Sequence, residues 1–181
     1  NAANGAAGSG GGIQNVDGGS VTVNNSTVSN NTANRAGGGI EDNSTNGTGT
    51  ITLFNAIVED NDAGTAPGNG GGMHITGPGN ATVTNGSVSN NVAALEGGGL
   101  WNGSGTMTVN NVTIDGNTAS GAMANEGGGG IFNAGGTLDV NNSTISNNVA
   151  DGAAGSGGGI LNDEGTLVVT ATTISNNTSV R

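Results

Sequence analysis

Apolar residues along this chain alternate with polar ones in short runs, and the runs themselves recur. Val21 and Val23 share one face of an extended segment while Thr22 and Asn24 take the other, and Val28 follows after a polar break. That period of two is the signature of a strand with one buried face. The stretch 21–31 aligns without gaps to 51–61, 81–91, 107–117, 138–148 and 167–177. Ahead of each copy stands a glycine triplet closed by an aliphatic residue: Ile13, Ile40, Met73, Leu100, Ile131 and Ile160. All variation in length falls between these two segments. Invariant strands joined by variable connections predict stacked coils with insertions at the corners.

Across the copies the aliphatic positions form columns. One holds Val21, Ile51, Ala81, Met107, Leu138 and Leu167; the next holds Val23, Leu53, Val83, Val109, Val140 and Val169; a third, past a corner, runs from Val28 to Ile174. With the post-triplet column these give three short strands per coil and a coil of 27 to 33 residues. The expected fold is an all-β, right-handed parallel β-helix of about six coils, 10–36, 37–69, 70–96, 97–127, 128–156 and 157–181, forming a single domain. At about 4.8 Å per coil, six coils make a rod on the order of 30 Å long.

Asparagine marks the corners. Asn25, Asn55, Asn85, Asn111 and Asn142 align, broken at Ala171, and Asn31, Asn61, Asn91, Asn117, Asn148 and Asn177 align without a break. A carboxamide carries both donors and acceptor, so stacked copies are expected to bond along the rod as ladders. A turn role with left-handed backbone also accounts for asparagine at a bend.

Composition rules out several functions. There are 39 glycines, no cysteine, no lysine, and only Arg35 and Arg181 as strong cations against a net charge of −11. Such a chain lacks the basic groups that phosphate binding needs, which argues against nucleic acid and against anionic membrane surfaces. It also has no thiolate ligand or disulfide framework. No apolar run is long enough to insert in a bilayer. The many Asn-x-Ser/Thr triplets are expected by chance in so Asn- and Thr-rich a chain, and several fall on ladder positions.

These repeats resemble those of chlamydial polymorphic outer-membrane proteins and of bacterial autotransporter passenger domains, where a Gly-Gly-x-Ile motif pairs with a downstream aliphatic-x-x-Asn. The resemblance covers nearly the whole chain. It departs where a third glycine replaces the usual Ala and where Val or Ile (Val28, Val58, Val88, Ile114, Ile145, Ile174) replaces Phe. It implies an extracellular, bacterial cell-surface protein that is adhesive or structural and not an enzyme. Both ends of the sequence fall at one phase of the coil without a cap, so an adhesin, stalk or filament subunit stacking end to end is the expected form.

Candidate chemistry concentrates in one column, Gln14, Glu41, His74, Trp101, Phe132 and Leu161. Alternation places it opposite the aliphatic face. An acid, an imidazole and two aromatic rings on adjacent rungs suit a glycan-binding groove, the main alternative function, or a face covered by a loop or another protein. Glu59, Asp60 and Asp62 cluster in one coil, and Glu96 and Glu126 precede successive glycine runs, so Ca²⁺ is a weak possibility and no other cofactor is expected. Outward threonines (Thr22, Thr52, Thr82, Thr108; Thr27, Thr113, Thr144, Thr173) form arrays that an ice-binding surface would use, interrupted by Ile57, Ser87 and Asp139.

Overall fold

A computed structural model describes residues 1–44, 48–65 and 67–181. Every strand pairs in parallel with its counterpart one coil away, and no helix is present among the described residues. Three sheets run the length of the stack. The first holds the residues after each glycine triplet, from Ile13–Val16 through Ile40–Asn43, Met73–Ile75, Leu100–Asn102 and Ile131–Ala134 to Ile160–Asp163. The second is long and bent. In the second and third coils its strands Thr50–Glu59 and Asn80–Ser89 run unbroken through the bend, whereas elsewhere they divide, as Thr106–Asn110 and Thr113–Asp115 do. The third has strands of only two residues, such as Val92–Ala93 and Thr118–Ala119.

Register follows the sequence columns. Val21 pairs with Ile51, Ile51 with Ala81, Ala81 with Met107, and so on to Leu167. Their side chains fill one continuous apolar core, which is fully buried through the middle coils. A further inward column escapes a hydropathy reading: Ala33, Ala63, Ala93, Ala119 and Ala150 are buried under the short sheet, and Ser179 follows them in register.

The glycine triplet turns the chain from the short sheet into the first one. Its leading glycine has φ between 58° and 65° in all six coils. Its middle glycine lies against the carbonyls of the next coil: a Cβ on Gly71 would overlap the oxygens of Gly98 and Val92. Only glycine meets both demands.

The two asparagine columns are different devices. Asn31, Asn61, Asn91, Asn117, Asn148 and Asn177 form an unbroken ladder, buried from Asn31 to Asn148. Each Oδ1 accepts from both the backbone N–H and Nδ2 of the preceding coil's asparagine, as Asn91 Oδ1 does from Asn61 at 3.0 Å each. Each Nδ2 also donates to a carbonyl of the coil before, as Asn61 does to Val28 at 2.9 Å. In the inner rungs, Asn61 to Asn148, two donors and two lone pairs are all used, which neither Asp nor Ser could reproduce. Asn1 extends the ladder by donating to Asn31 Oδ1 at 3.0 Å. Immediately before each rung sits a left-handed residue, Asn30, Asp60, Asn90, Gly116, Asn147 or Asn176, with φ of 54–66°.

In the Asn25 column the turn role prevails and the expected continuous ladder is not found. Asn25, Asn55, Asn85, Asn111, Asn142 and Ala171 all have φ between 47° and 58° and are largely exposed. Side-chain bonds join only neighbouring pairs, Asn55 to Asn25 and Asn111 to Asn85, each at 2.8 Å, while Asn142 turns to Asn110. At an exposed corner water competes for the amides, and backbone geometry selects the residue.

Candidate functional site

The Gln14–Leu161 column is in register rung by rung, as expected: Gln14 with Glu41, then His74, Trp101, Phe132 and Leu161. It is not an open groove. Glu41, His74 and Phe132 are buried, and only Gln14, Trp101 and Leu161 keep some exposure. Cover comes from the segment just before each glycine triplet. That segment crosses beside the column as a line of parallel bridges, Ser9 to Ala36, Asn69 and Glu96, and Gly127 to Ser156.

From this segment, side chains reach the column residue that follows the next glycine triplet. Arg35 pairs with Glu41 Oε1 and donates through Nε to Ser9 Oγ at 2.7 Å. Glu96 Oε2 accepts the Trp101 indole N–H at 3.0 Å and the Asn69 amide at 3.3 Å. Glu126 stands one residue earlier than Glu96 relative to its triplet and accepts the Met123 backbone N–H at 2.8 Å.

The rings stack. His74 lies 4.2 Å from Trp101, centroid to centroid and nearly parallel, and Trp101 lies 6.0 Å from Phe132. Thr76, two residues beyond His74, links the imidazole to the acid: its hydroxyl is 3.2 Å from Glu41 Oε1 and 3.1 Å from His74 Nδ1. The carboxylate can only accept, so the hydroxyl donates to Glu41 and accepts from His74 Nδ1–H, which fixes the tautomer.

Burial pushes the His74 imidazole below its usual pKa, only partly offset by Glu41, and keeps it neutral. Burial pushes the Glu41 carboxyl up, but hydrogen bonding from His74 and Ser9 and the charge of Arg35 outweigh it and hold the group below its usual value. Glu96 is raised by burial and by the charges of Glu126 and Asp163, against the Trp101 hydrogen bond. A neutral imidazole bridged to a carboxylate is acid–base equipment, but such equipment must reach a substrate proton. Here Glu41 Oε1, the Thr76 hydroxyl and His74 Nδ1 face one another and Arg35, Glu41 Oε2 is buried without a hydrogen-bond partner among the described residues, and the wider surface grooves open elsewhere, beside Asn34 and Asp62 and beside Asn1 and Ile13.

A second polar column, one place beyond the stripe's partner residues, went unseen in the sequence. Asn15, Asp42, Asn102, Asn133 and Asn162 point inward below the first sheet, with Ile75 between Asp42 and Asn102. Asn15 donates to Asp42 Oδ1 at 2.9 Å, Asn102 to Asn133 at 2.7 Å and Asn133 to Asn162 at 2.6 Å. Ile75 breaks the run, and on either side of it Asp42 Oδ2 and Asn102 Oδ1 are buried without a partner among the described residues. The regular spacing of these residues two places past each post-triplet aliphatic was the available signal, masked by the interruption at Ile75.

The acids considered for Ca²⁺ do not converge. Glu59 lies on the long sheet and Asp62 on the short one, with left-handed Asp60 between them, and no group of three His, Asp or Glu among the described residues could hold a metal ion. Burial raises the Asp62 carboxyl. The outward threonines align in register, Thr22 with Thr52, Thr82 and Thr108, before Asp139 and Val168 end the array. Among the described residues no helix is long and apolar enough to cross a membrane. No family pattern, characterised protein or solved structure matches this chain.

Proposed function

We propose that this chain is a non-enzymatic, extracellular β-helix serving as an adhesive or structural element of a bacterial surface. The observation that carries the reading is the stripe: in the chain's one acid–imidazole–aromatic constellation Glu41, His74 and Phe132 are buried, and its polar groups bond to Arg35, Thr76 and Glu96. The outward faces carry short hydroxyl and amide side chains on rigid strands, suited to display and not to turnover. The acidic, cysteine-free composition and the resemblance of the repeats to surface β-helices point the same way.

The test pairs retention with turnover. Beads coated with the protein are challenged under flow with films of mucin, matrix protein and polysaccharide, and soluble protein is assayed for release of reducing ends. Retention without release supports the proposal. Release that Glu41→Gln abolishes overturns it.

A further inference from the structure

Two outward columns of the long sheet form one surface, of which the repeat alignment showed only half. Beside Thr22, Thr52, Thr82 and Thr108 stand Ser20, Thr50, Asn80 and Thr106, two residues earlier on the same four strands. Of these eight side chains seven end in a hydroxyl, none is charged, and each is exposed or half-buried. The rungs are in register: Ser20 pairs with Thr50 and Thr50 with Asn80, while Thr22, Thr52, Thr82 and Thr108 pair in turn. Between the two columns the chain turns inward at Val21, Ile51, Ala81 and Met107, so the array stands directly on the apolar core. Thr50 donates to Ser20 at 2.8 Å, and Asn80 Oδ1 accepts the Thr106 backbone N–H at 2.9 Å, which holds the one amide along the sheet. Threonine is stiff at χ1, so little further ordering is needed on binding.

Strand propensity alone does not produce this surface. The outward column of the short sheet also faces solvent, and it mixes Thr32, Asp62, Val92, Thr118, Val149 and Thr178. One side chain repeated at fixed intervals adds nothing against an irregular partner, but it matches a partner that itself repeats. Here the side chains recur about 4.8 Å apart along the stack and about 6.6 Å apart along each strand. The prism plane of hexagonal ice presents oxygen rows with a closely similar pair of repeats.

We infer that this face binds ice. A threonine hydroxyl both gives and takes hydrogen bonds, as a lattice water does, and its methyl group confines the water held between the two columns. Crystalline polysaccharide is the other regular lattice of hydroxyls, but sugar rings pack on aromatic ones, and none stands among the eight. Ice binding is separate from retention on mucin, matrix protein or polysaccharide, and either can fail without the other.

Nanolitre osmometry, with partition of fluorescently labelled protein into slowly grown ice, tests the assignment. The parent should open a gap between melting and freezing points and enter the ice. Thr82→Lys, inside the array, should remove most of both effects, while Thr32→Lys on the short sheet leaves them unchanged. Both sites are exposed, so both variants should melt as the parent does; should Thr82→Lys unfold, the equally exposed Thr22→Lys supplies the comparison. Asp139→Thr extends the second column to a fifth rung and should widen the gap. Exclusion of the parent from ice with no gap at millimolar concentration overturns the proposal, as does equal loss from Thr82→Lys and Thr32→Lys. Protein excluded from ice that sediments with microcrystalline cellulose or chitin assigns the face to a polysaccharide lattice and overturns it too.

Discussion

Replacing Asn91 by alanine should cost this fold more than any exposed asparagine can. The side chain is fully buried at the centre of the ladder. Its Oδ1 accepts two bonds from Asn61, and its Nδ2 donates to Val58 O and Asn117 Oδ1, both at 2.9 Å. Alanine deletes all four and leaves two Asn61 donors, the backbone N–H and one amide hydrogen, buried without acceptors. At about 1–3 kcal/mol for each orphaned group, the loss is about 2–6 kcal/mol. Asn55 is the control. Its one side-chain bond is exposed, and glycine accepts its φ of 49°, so Asn55→Gly should cost less than about 1 kcal/mol. Urea denaturation followed by circular dichroism gives both values. Hydrogen exchange then locates the damage, since a broken rung should uncouple the coils on either side of it. If Asn91→Ala and Asn55→Gly differ by less than about 1 kcal/mol, the ladder does not hold the coils together and the reasoning is refuted.

Three further outcomes follow from the geometry. Arg35→Met strands the buried Glu41 carboxylate and should cost about 3 kcal/mol, the low end of the usual range because the Arg35 side chain is 27% exposed, and adding Glu41→Leu should restore most of it; an additive double variant in urea melts would contradict the pairing. Gly71→Ala should destabilise by about 3 kcal/mol or more through its overlap with the next coil, whereas Gly135→Ala, open on all sides at φ 85°, should cost only about 1–2 kcal/mol; equal melting points would remove the close-approach argument. His74 is held neutral by burial, so below its unfolded pKa near 6.5 the unfolded chain binds a proton that the folded chain refuses. Stability should therefore fall as pH drops from 7 toward 5, by at most about 1.4 kcal/mol per pH unit from this group, and a His74→Gln profile no flatter than the parent's would show that the imidazole is not the source.

Much of the fold was legible because stacking repeats one residue type at one geometric place. The aliphatic columns, the parallel register and the Asn31 ladder all follow from alignment of the copies. The Asn25 column was half legible: alignment showed its place but not whether backbone or side chain selected it, since both favour asparagine. The alanine column under the short sheet was hidden by small side chains in a chain already rich in alanine. For the stripe, alternation correctly set Glu41, His74, Trp101 and Phe132 in one line facing away from the aliphatic core. What alternation cannot convey is that residues five and six places earlier, Glu96 before Trp101 and Arg35 before Glu41, fold back across it. The exposure of Phe54, on the same strand as the already noted Ile57, was missed for a related reason. Phe54 and Ile57 interrupt columns of Asn and Thr, so they read as irregularities in the repeat, although irregular positions are where a repeat protein can carry specificity.

The buried asparagine ladder ties the coils of this protein together, and exchange of the asparagine side-chain amides measured by nuclear magnetic resonance tests that most directly. The amides of Asn31, Asn61, Asn91, Asn117 and Asn148 should exchange with solvent as slowly as the strand backbone around them, while those of Asn25, Asn55 and Asn85 exchange at rates close to free peptides. Fast exchange throughout both columns would contradict the ladder and, with it, the stacking of the coils described above.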